Sequence, residues 1–246
     1  RLKSSVILGV SEGAIRYMGG YKVVANLVKN LDEELNIQIP VAIHLDHGSS
    51  VESCKKAVDA GFTSVMIDAS KYSLEENIDM TKQVVEYARI KNITIEAEIG
   101  HIGGSEDNMS SEIAYAKVDD ALKLYNETKI DFLAPALGSV HGLYKGEPCL
   151  DFDKMKEISE KTNIPLVLHG GTGIDDEKLK KAIASGICKV NINTELQIAC
   201  TKAVRKFLSE VTKAYDPRTV IKSGEQSMKQ AIEHKVNVLG SINRIN

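Results

Sequence analysis

Three of the six histidines in the chain are followed by glycine, and each lies just after an apolar run. They are His47, His141 and His169. If the apolar runs are parallel strands of one barrel, their carboxyl ends meet on one rim, where the active sites of such barrels lie. Three imidazoles with an open fourth position are the ligand set of a catalytic zinc ion. The pattern therefore predicts a zinc site, against the alternative of three separately satisfied histidines.

Carboxylates accompany these histidines at the ends of three predicted strands. Asp46 directly precedes His47, so a general acid or base would lie close to whatever the metal binds. Asp68 and Glu98 end two further strands, where they could take the metal in an alternative position or hold a second one. Hydrogen bonding to backbone or histidines at the rim explains Asp68 and Glu98 equally well.

A glycine-rich segment and a second polar segment point to a phosphorylated ligand. Residues 170–173 (Gly-Gly-Thr-Gly) follow one strand and residues 191–194 (Asn-Ile-Asn-Thr) follow the next, and each opens a helix. Backbone N–H groups at such helix starts bind phosphate in barrels. Residues 103–111 form the longest expected mobile loop, which could close over a ligand and deliver Glu106. The alternative for this segment is a solvated surface loop.

The elements that must position these residues alternate between short β-branched runs and amphipathic stretches. Residues 21–36 place Val24, Leu27 and Leu31 on one helical face, and residues 74–91 do the same with Ile78 and Val85. Such alternation predicts a parallel sheet covered by helices. The seven predicted strands are residues 5–10, 40–45, 63–67, 93–99, 131–137, 165–168 and 188–192.

Seven strand-helix units fit an α/β (β/α)8 TIM barrel without its first unit, or alternatively a doubly wound sheet. Polar residues recur at every second position of several strands, as in His44 with Asp46 and Glu96 with Glu98. A closed barrel with a polar upper interior explains this pattern better than an open sheet with two apolar faces. Inside it we expect Lys189 to pair with Glu96, the alternative being a Schiff-base nucleophile.

The limits of the chain predict one domain belonging to a longer protein. No linker or change in composition divides residues 1–246. The sequence starts at Arg1 without Met and reaches an apolar run almost at once, with no signal segment before it. We therefore expect an N-terminally truncated barrel domain.

Composition excludes several classes of protein. With 246 residues and 43% hydrophobic content, the chain is not a disordered tail. A net charge of −3, 5% aromatic residues and no Trp argue against nucleic acid as a partner. The longest uncharged stretch, residues 132–144, is too short and polar to span a membrane. Four scattered cysteines without a C-x-x-C predict reduced thiols, so we expect a soluble, cytoplasmic protein.

These motifs resemble those of the class II, metal-dependent fructose-bisphosphate aldolases, over essentially the whole chain. Residues 41–48 (VAIHLDHG) resemble the family segment that carries an acid and a zinc ligand. Residues 139–142 (SVHG) and 168–172 (LHGGT) resemble the segments that supply the other two zinc histidines. The resemblance implies zinc on the three histidines and Asp46 as proton donor. It also implies reversible cleavage of fructose 1,6-bisphosphate to dihydroxyacetone phosphate and glyceraldehyde 3-phosphate.

The resemblance implies further binding roles. Asp68 and Glu98 match positions where some members bind a second or displaced metal, so a second divalent or monovalent cation is a candidate cofactor beside Zn²⁺. Glu106 matches the acid that moves the carbon-bound proton of the substrate, and Ser11 matches a substrate-contacting serine. The residues implied to hold dihydroxyacetone phosphate are Gly142, Gly170, Gly171, Thr172, Asn191, Asn193 and Thr194.

Two departures from the family pattern bear on function. The first strand and helix of the family are absent, and Asn193 stands where some fructose-bisphosphate enzymes have Asp and some tagatose-bisphosphate enzymes have Ala. Tagatose 1,6-bisphosphate is therefore an alternative substrate. A non-catalytic phosphosugar-binding protein of the same fold is another alternative. The resemblance also implies a homodimer or higher homo-oligomer, with Arg244 near a neighbouring subunit.

Overall fold

The structure is a computed structural model that describes residues 2–106, 109–111, 114–144 and 146–245, except for the side chains of residues 105, 106 and 109–111. The strands of this part of the chain are β1 (Val6–Ser11), β2 (Val41–Gly48), β3 (Ser64–Ile67), β4 (Thr94–Ile99), β5 (Gly103–Glu106), β6 (Met109–Ser111), β7 (Phe132–Pro135), β8 (Val140–His141), β9 (Leu166–Leu168) and β10 (Ile187–Val190). Its helices are α1 (Glu12–Met18), α2 (Tyr21–Glu34), α3 (Val51–Ala60), α4 (Leu74–Arg89), α5 (Val118–Thr128), α6 (Phe152–Thr162), α7 (Asp176–Ala184), α8 (Thr194–Glu210) and α9 (Pro217–Val238).

Seven strands form one parallel sheet in the order β1-β2-β3-β4-β7-β9-β10, which follows the order of the chain. These seven correspond to the seven strands predicted from the sequence. A second, three-stranded sheet has the order β6-β5-β8, with β5 antiparallel to β6 and parallel to β8. The segment expected to be a mobile loop therefore contains two short paired strands, with residues 107 and 108 between them outside the described part.

The main sheet curls so that side chains of distant strands meet on its inner face. Lys189 on β10 places its Nζ 2.7 Å from Glu96 Oε2 on β4 and 3.3 Å from His44 Nε2 on β2. In a flat sheet, the five strand steps between β10 and β2 would separate them by roughly 24 Å. The predicted Lys189–Glu96 pair is confirmed, whereas the doubly wound alternative is wrong, because the strand order never reverses.

The helices cover the outer face of the sheet, and residues that cap a helix N-terminus mark where several of them begin. Ser73 starts α4 with a capping box, in which its hydroxyl accepts from the Glu76 N–H and the Glu76 carboxylate accepts from the Ser73 N–H. Ile78 and Val85 of α4 are buried, as the helical spacing predicts. Packing of such apolar faces fixes the strand ends from which the polar residues project.

The β1 side of the sheet is less well covered. Val6, Ile7 and Leu8 are 38% to 43% exposed. On the predicted apolar face of α2, Val24 is buried, but Leu27 is exposed. The spacing of α2 is thus amphipathic, while part of its apolar face has no covering layer among the described residues.

Two observations bear on the cellular setting. Among the described residues, no helix combines the length and apolar character needed to cross a membrane. All four cysteines are free thiols, and Cys54 is buried whereas Cys149 and Cys188 are exposed.

Candidate active site

A β-bulge in β2 lets two consecutive residues face the rim of the sheet. Leu45 pairs with Val65 of β3, but the next pair joins Gly48 to Ile67, so β2 contains one extra residue. His47 within the bulge has φ +49°, a left-handed conformation that costs on the order of 1 kcal/mol for a residue with a Cβ. Side chains of Asp46 and His47, which would alternate in a regular strand, therefore both reach the candidate site.

The structure brings His47, His141 and His169 together. One ligand nitrogen from each lies within 4.8 Å of those of the other two. His47 Nε2 and His169 Nδ1 are 2.9 Å apart, and the rings of His47 and His141 have centroids 4.8 Å apart. These side chains come from β2, from the end of β9 and from β8, which belongs to the second sheet, so the three histidines converge although His141 does not lie on a strand of the main sheet.

The second ring nitrogen of His169 is held by a buried carboxylate. His169 Nε2 lies 2.8 Å from Glu96 Oε1, while the other oxygen of Glu96 accepts from Lys189. Burial raises the pKa of Glu96, but the Lys189 charge and the His169 hydrogen bond outweigh it and keep the pKa below its usual range. Glu96 is therefore a carboxylate that leaves only Nδ1 of His169 for a metal.

The two nitrogens of His47 face different groups. While Nε2 points to His169, Nδ1 lies 3.0 Å from Asp68 Oδ2 and 3.6 Å from Glu98 Oε2. His47, Asp68 and Glu98 form a second cluster whose ligand atoms lie within 4.8 Å of one another. Burial, followed by the charge of Asp68, raises the pKa of Glu98 to about 8. The geometry is consistent with both interpretations of Asp68, as a hydrogen-bonding group and as a metal ligand. Its carboxylate orients His47, and it also belongs to this second cluster.

Asp46 lies beside the histidines with a fixed orientation. Its Oδ1 accepts a hydrogen bond from Asn191 Nδ2 at 3.0 Å and lies 3.9 Å from His169 Nδ1. Burial raises the pKa of Asp46, but electrostatic interactions with the neighbouring histidines and with Lys189 outweigh this and lower it overall. A carboxylate in this position can accept a proton from a group bound against the histidines.

Residues 170–173 and residues 191–194 lie against each other at the ends of β9 and β10. The Gly171 N–H donates to Asn191 O at 2.9 Å, and a Cβ on Gly171 would lie only 2.6 Å from Val190 Cγ1. The Thr172 hydroxyl accepts from the Glu195 N–H at 3.2 Å. Asn193 is the N-cap of α8 and makes no side-chain capping hydrogen bond, and Thr194 is the first residue of that helix.

The remaining predicted residues lie around this rim. Ser11 pairs in register with Asp46, and its hydroxyl caps α1 by accepting from the Ala14 N–H. Gly142 directly follows His141 and has φ +82°. Glu106 is the last residue of β5, but its side chain lies outside the described part, so the structure does not show where that carboxylate points.

The residues present fit a zinc ion. Burial lowers the pKa of His141 to about 3 and also lowers the pKa of His169, so both are neutral imidazoles that can donate a lone pair to a metal. The 2.9 Å between His47 Nε2 and His169 Nδ1 is close to the separation of about 3.3 Å expected for two nitrogens on a tetrahedral zinc. Nitrogen donors with carboxylates behind them suit zinc better than magnesium or calcium.

Comparison with known proteins identifies the family. The chain matches the family described as "Fructose-bisphosphate aldolase class-II" over residues 1–244. The chain belongs to this family. It is 57% identical to a fructose-bisphosphate aldolase of Geobacillus stearothermophilus over 240 residues, which cover 97% of the chain and 84% of that relative. A Staphylococcus aureus protein of the same name is 54% identical, with the same coverage.

The resemblance predicted from the histidine motifs is thus confirmed, and the chain is a class II fructose-bisphosphate aldolase, a metal-dependent aldehyde-lyase. Solved aldolases share its fold. The X-ray structure of the YdjI aldolase from Escherichia coli K12 superposes with a TM-score of 0.85 at 31% identity, covering 100% of this chain and 85% of that one. A fructose-bisphosphate aldolase from Campylobacter jejuni gives a TM-score of 0.82 at 25% identity, covering 99% and 85%.

Sequence reasoning missed two contacts in the aldolase site. Glu96 was assigned to the interior as the partner of Lys189, but its hydrogen bond to His169 was not predicted. The period-2 pattern shared by Glu96 and Glu98 could have suggested it. Tyr144, whose hydroxyl joins the His141 segment to the His169 segment, carries no sequence signal of that role.

Proposed function

We propose that this aldolase reversibly cleaves fructose 1,6-bisphosphate to dihydroxyacetone phosphate and glyceraldehyde 3-phosphate at the rim formed by β2, β8, β9 and β10. One observation carries the proposal. His47, His141 and His169 converge next to Asp46, and residues 170–173 after β9 and 191–194 after β10 abut the same place. A metal site, an acid-base group and a phosphate-binding surface thus adjoin one another.

The proposed metal is zinc, held by His47, His141 and His169. When bound there, zinc supplies a Lewis acid that polarises the ketone of the sugar. Glu96 holds His169 with Nδ1 toward the site, and Asp68 holds His47 with Nε2 toward it. These carboxylates fix which nitrogens are offered before any metal arrives.

Asp46 is the proposed base for cleavage. Its carboxylate takes the proton of the C4 hydroxyl as the C3–C4 bond breaks, and the bonding electrons stay with C3 and the adjacent ketone. Glyceraldehyde 3-phosphate leaves, and C3 then takes a proton to complete dihydroxyacetone phosphate. We assign that second proton to Glu106, on the basis of the family resemblance. In synthesis the same groups act in reverse.

The phosphate of the dihydroxyacetone half is proposed to bind at residues 170–173 and 191–194. Helix α8 starts at Thr194 without a side-chain cap from Asn193, and backbone N–H groups at helix starts favour phosphate. Thr172 and Asn191 tie the two segments together, while Ser11 lies beside Asp46 across the strand pair. The proposed phosphate and substrate contacts are Ser11, Gly142, Gly170, Gly171, Thr172, Asn191, Asn193 and Thr194.

A second cation is proposed at His47, Asp68 and Glu98. Glu98 Oε2 is buried and has no hydrogen-bond partner within the described part of the chain, and it lies 3.6 Å from His47 Nδ1. A buried carboxylate oxygen without a donor is well suited to a cation. Zinc in a displaced position, or another divalent or monovalent ion, would satisfy it.

The complete (β/α)8 barrel is also a proposal, with residues 1–246 as part of one domain. We place a further strand and helix between β1 and β10, supported by the exposed apolar side chains of Val6, Ile7 and Leu8. An experimental structure of the natural protein with this space open would contradict the placement.

We further propose a homodimer or higher homo-oligomer, and a cytoplasmic location. Helix α8 has no buried residue among those described and exposes Ile198, which supports a partner surface on that side. The free thiols support a reducing compartment. Sedimentation of the purified protein should give at least twice the monomer mass, and a monomer at micromolar concentration would exclude the oligomer.

The deciding experiment measures cleavage of fructose 1,6-bisphosphate and tagatose 1,6-bisphosphate, before and after EDTA and with zinc restored. Activity lost to EDTA and regained with zinc supports the metal mechanism. Asn193 lacks the charge that Asp has at this position in some fructose-bisphosphate enzymes, so the ratio of the two rates decides which sugar is preferred. EDTA-resistant activity, together with covalent trapping of the substrate on the enzyme by borohydride, would point to Lys189 instead. Absence of turnover with zinc bound would favour a binding protein.

A further inference from the structure

The hydroxyl of Tyr144 bridges the two segments that carry His141 and His169. The Val140 N–H donates to Tyr144 Oη at 3.1 Å, and the Tyr144 O–H donates to Gly170 O at 3.0 Å. Val140 directly precedes His141, and Gly170 directly follows His169. One side-chain oxygen therefore links the backbones next to two proposed metal ligands.

The segments that carry His141 and His169 are in close backbone contact at Val140 and Gly170. A Cβ on Gly170 would lie 2.1 Å from Val140 O, so only glycine allows the approach, and Gly170 has φ +67°. The Tyr144 ring lies over the next turn, since a Cβ on Gly173 would be 3.4 Å from its Cδ2. Tyr144 is partly buried and packs against the main hydrophobic core.

The hydroxyl is fully committed to these contacts. A phenol has one hydrogen to donate, and that hydrogen goes to Gly170 O. It has none left for a substrate, so a role as general acid is excluded in this arrangement. Its contribution must come from holding the backbone.

We propose that Tyr144 is a positioning residue whose hydroxyl holds His141 and His169 at the spacing that zinc requires. The inference rests on the proposed three-histidine zinc site. Both proposed ligands sit one residue away from a backbone group that Tyr144 fixes, whereas β8 contains two residues and, among the described strands, pairs only with β5. Without the bridge, the His141 segment loses a contact to the turn that follows β9, and its own short strand does not replace that contact.

The test compares Tyr144→Phe, which deletes only the hydroxyl, with Tyr17→Phe at a side chain that is 93% exposed. Zinc affinity is measured on the metal-free proteins by competition with a chelating dye. We expect Tyr144→Phe to bind zinc roughly tenfold more weakly, the scale of a lost contact behind a metal ligand. Tyr17→Phe should match the wild type. Circular dichroism establishes that each variant is folded.

Hydrogen exchange of the Val140 N–H supplies a readout that does not depend on zinc. In metal-free protein this amide should exchange at least threefold faster in Tyr144→Phe than in wild type, because it loses its acceptor. Zinc affinity or Val140 exchange within twofold of wild type would overturn the inference. If the wild type itself binds no zinc, the proposed metal site is wrong. If the wild type binds zinc tightly and Tyr144→Phe binds it equally well, only the role of Tyr144 is wrong.

Discussion

At His47 and Asp46, the proposed chemistry depends on which nitrogen or oxygen of the side chain already has a partner. The bulge at β2 turns both side chains to the rim, and the two nitrogens of His47 then face different partners. Asp46 Oδ1 is occupied by Asn191, which leaves Oδ2 for the substrate proton. The chemistry assigned to the site therefore rests on which oxygen or nitrogen of each side chain is still available.

Replacing Asp46 by Asn tests the proton step. The variant keeps the shape of the side chain and an oxygen for Asn191 but loses the basic carboxylate, so kcat should fall by at least about a hundredfold. Zinc content, measured by atomic emission, should remain that of the wild type. Asp59→Asn on the exposed surface serves as the control and should leave kcat unchanged. An Asp46→Asn enzyme with near-normal kcat would remove Asp46 from its role.

The buried Lys189–Glu96 pair makes a prediction about stability. Lys189→Met leaves the Glu96 carboxylate buried without its main charge partner, which should cost about 3–5 kcal/mol of unfolding free energy. Adding Glu96→Gln removes the stranded charge, so the double variant should be more stable than Lys189→Met alone. Urea unfolding measures both. Equal stabilities for the single and double variants would show that the charges are not coupled.

Elements are joined around the rim by short polar contacts. Glu12, the first residue of α1, accepts hydrogen bonds from Ser49 N at 3.0 Å, from the Ser49 hydroxyl and from Ser53 on α3. Tyr21 on α2 reaches Ser53 Oγ at 2.8 Å. Hydrogen bonds thereby connect α1, α2 and α3 to one another and to the turn that follows His47. We infer that these contacts stabilise the bulge.

This network predicts a pH-dependent stability. Burial raises the pKa of Glu12, but the hydrogen bonds from Ser53 and Ser49 outweigh it and lower the pKa overall. A group with a lowered folded-state pKa stabilises the protein above its unfolded pKa of about 4.3 and loses that contribution as the pH falls through the folded-state value. Glu12→Gln should therefore cost about 1–2 kcal/mol at pH 7, and its deficit should shrink below pH 4.

Urea unfolding at several pH values measures that deficit. Glu52→Gln on the exposed face of α3 is the matched control, because its contact with Lys56 is a solvent-exposed pair, and it should show no measurable change at any pH. A Glu12→Gln deficit that is equal at pH 7 and pH 3.5 would contradict the prediction.

At the scale of the whole molecule, the proposed zinc site joins elements that are distant in the chain. Its ligands come from β2, β8 and the end of β9, so a bound metal stabilises the folded state but not the unfolded chain. Zinc at a hundred times its Kd should add about 2.7 kcal/mol of stability, which corresponds to roughly 5–10 °C in Tm for a chain of this size.

Calorimetry before and after EDTA measures this shift. His169→Ala should lower zinc content and abolish the difference between the two scans. His234→Ala on α9, whose side chain is 54% exposed, should retain the difference. A zinc-dependent Tm shift that survives in His169→Ala would remove His169 from the ligand set.

The sequence by itself determined the strand order and the convergence of the histidines. Apolar runs with β-branched residues, amphipathic stretches and His-Gly steps are local patterns, and for a parallel sheet in chain order they predict that His47, His141 and His169 meet at one end. It also determined the family, because the motifs around those histidines are specific. Adjacency in the chain predicted that Asp46 lies near a proposed ligand, but not that both side chains face the site.

Only the tertiary structure decided which atoms of these residues are free. The bulge that turns Asp46 and His47 to the same face arises from the register of β2 against β3, and a period-2 pattern cannot show it. Glu96 and His169 are 73 positions apart, and Asp46 and Asn191 are 145 apart. Tyr144 likewise joins two segments through a backbone N–H and a backbone C=O. Such groups recur along the whole backbone, so the sequence carries no pattern that marks this contact. Contacts of this kind depend on how the sheet curls and on hydrogen-bond geometry, so they exist only once the chain has folded.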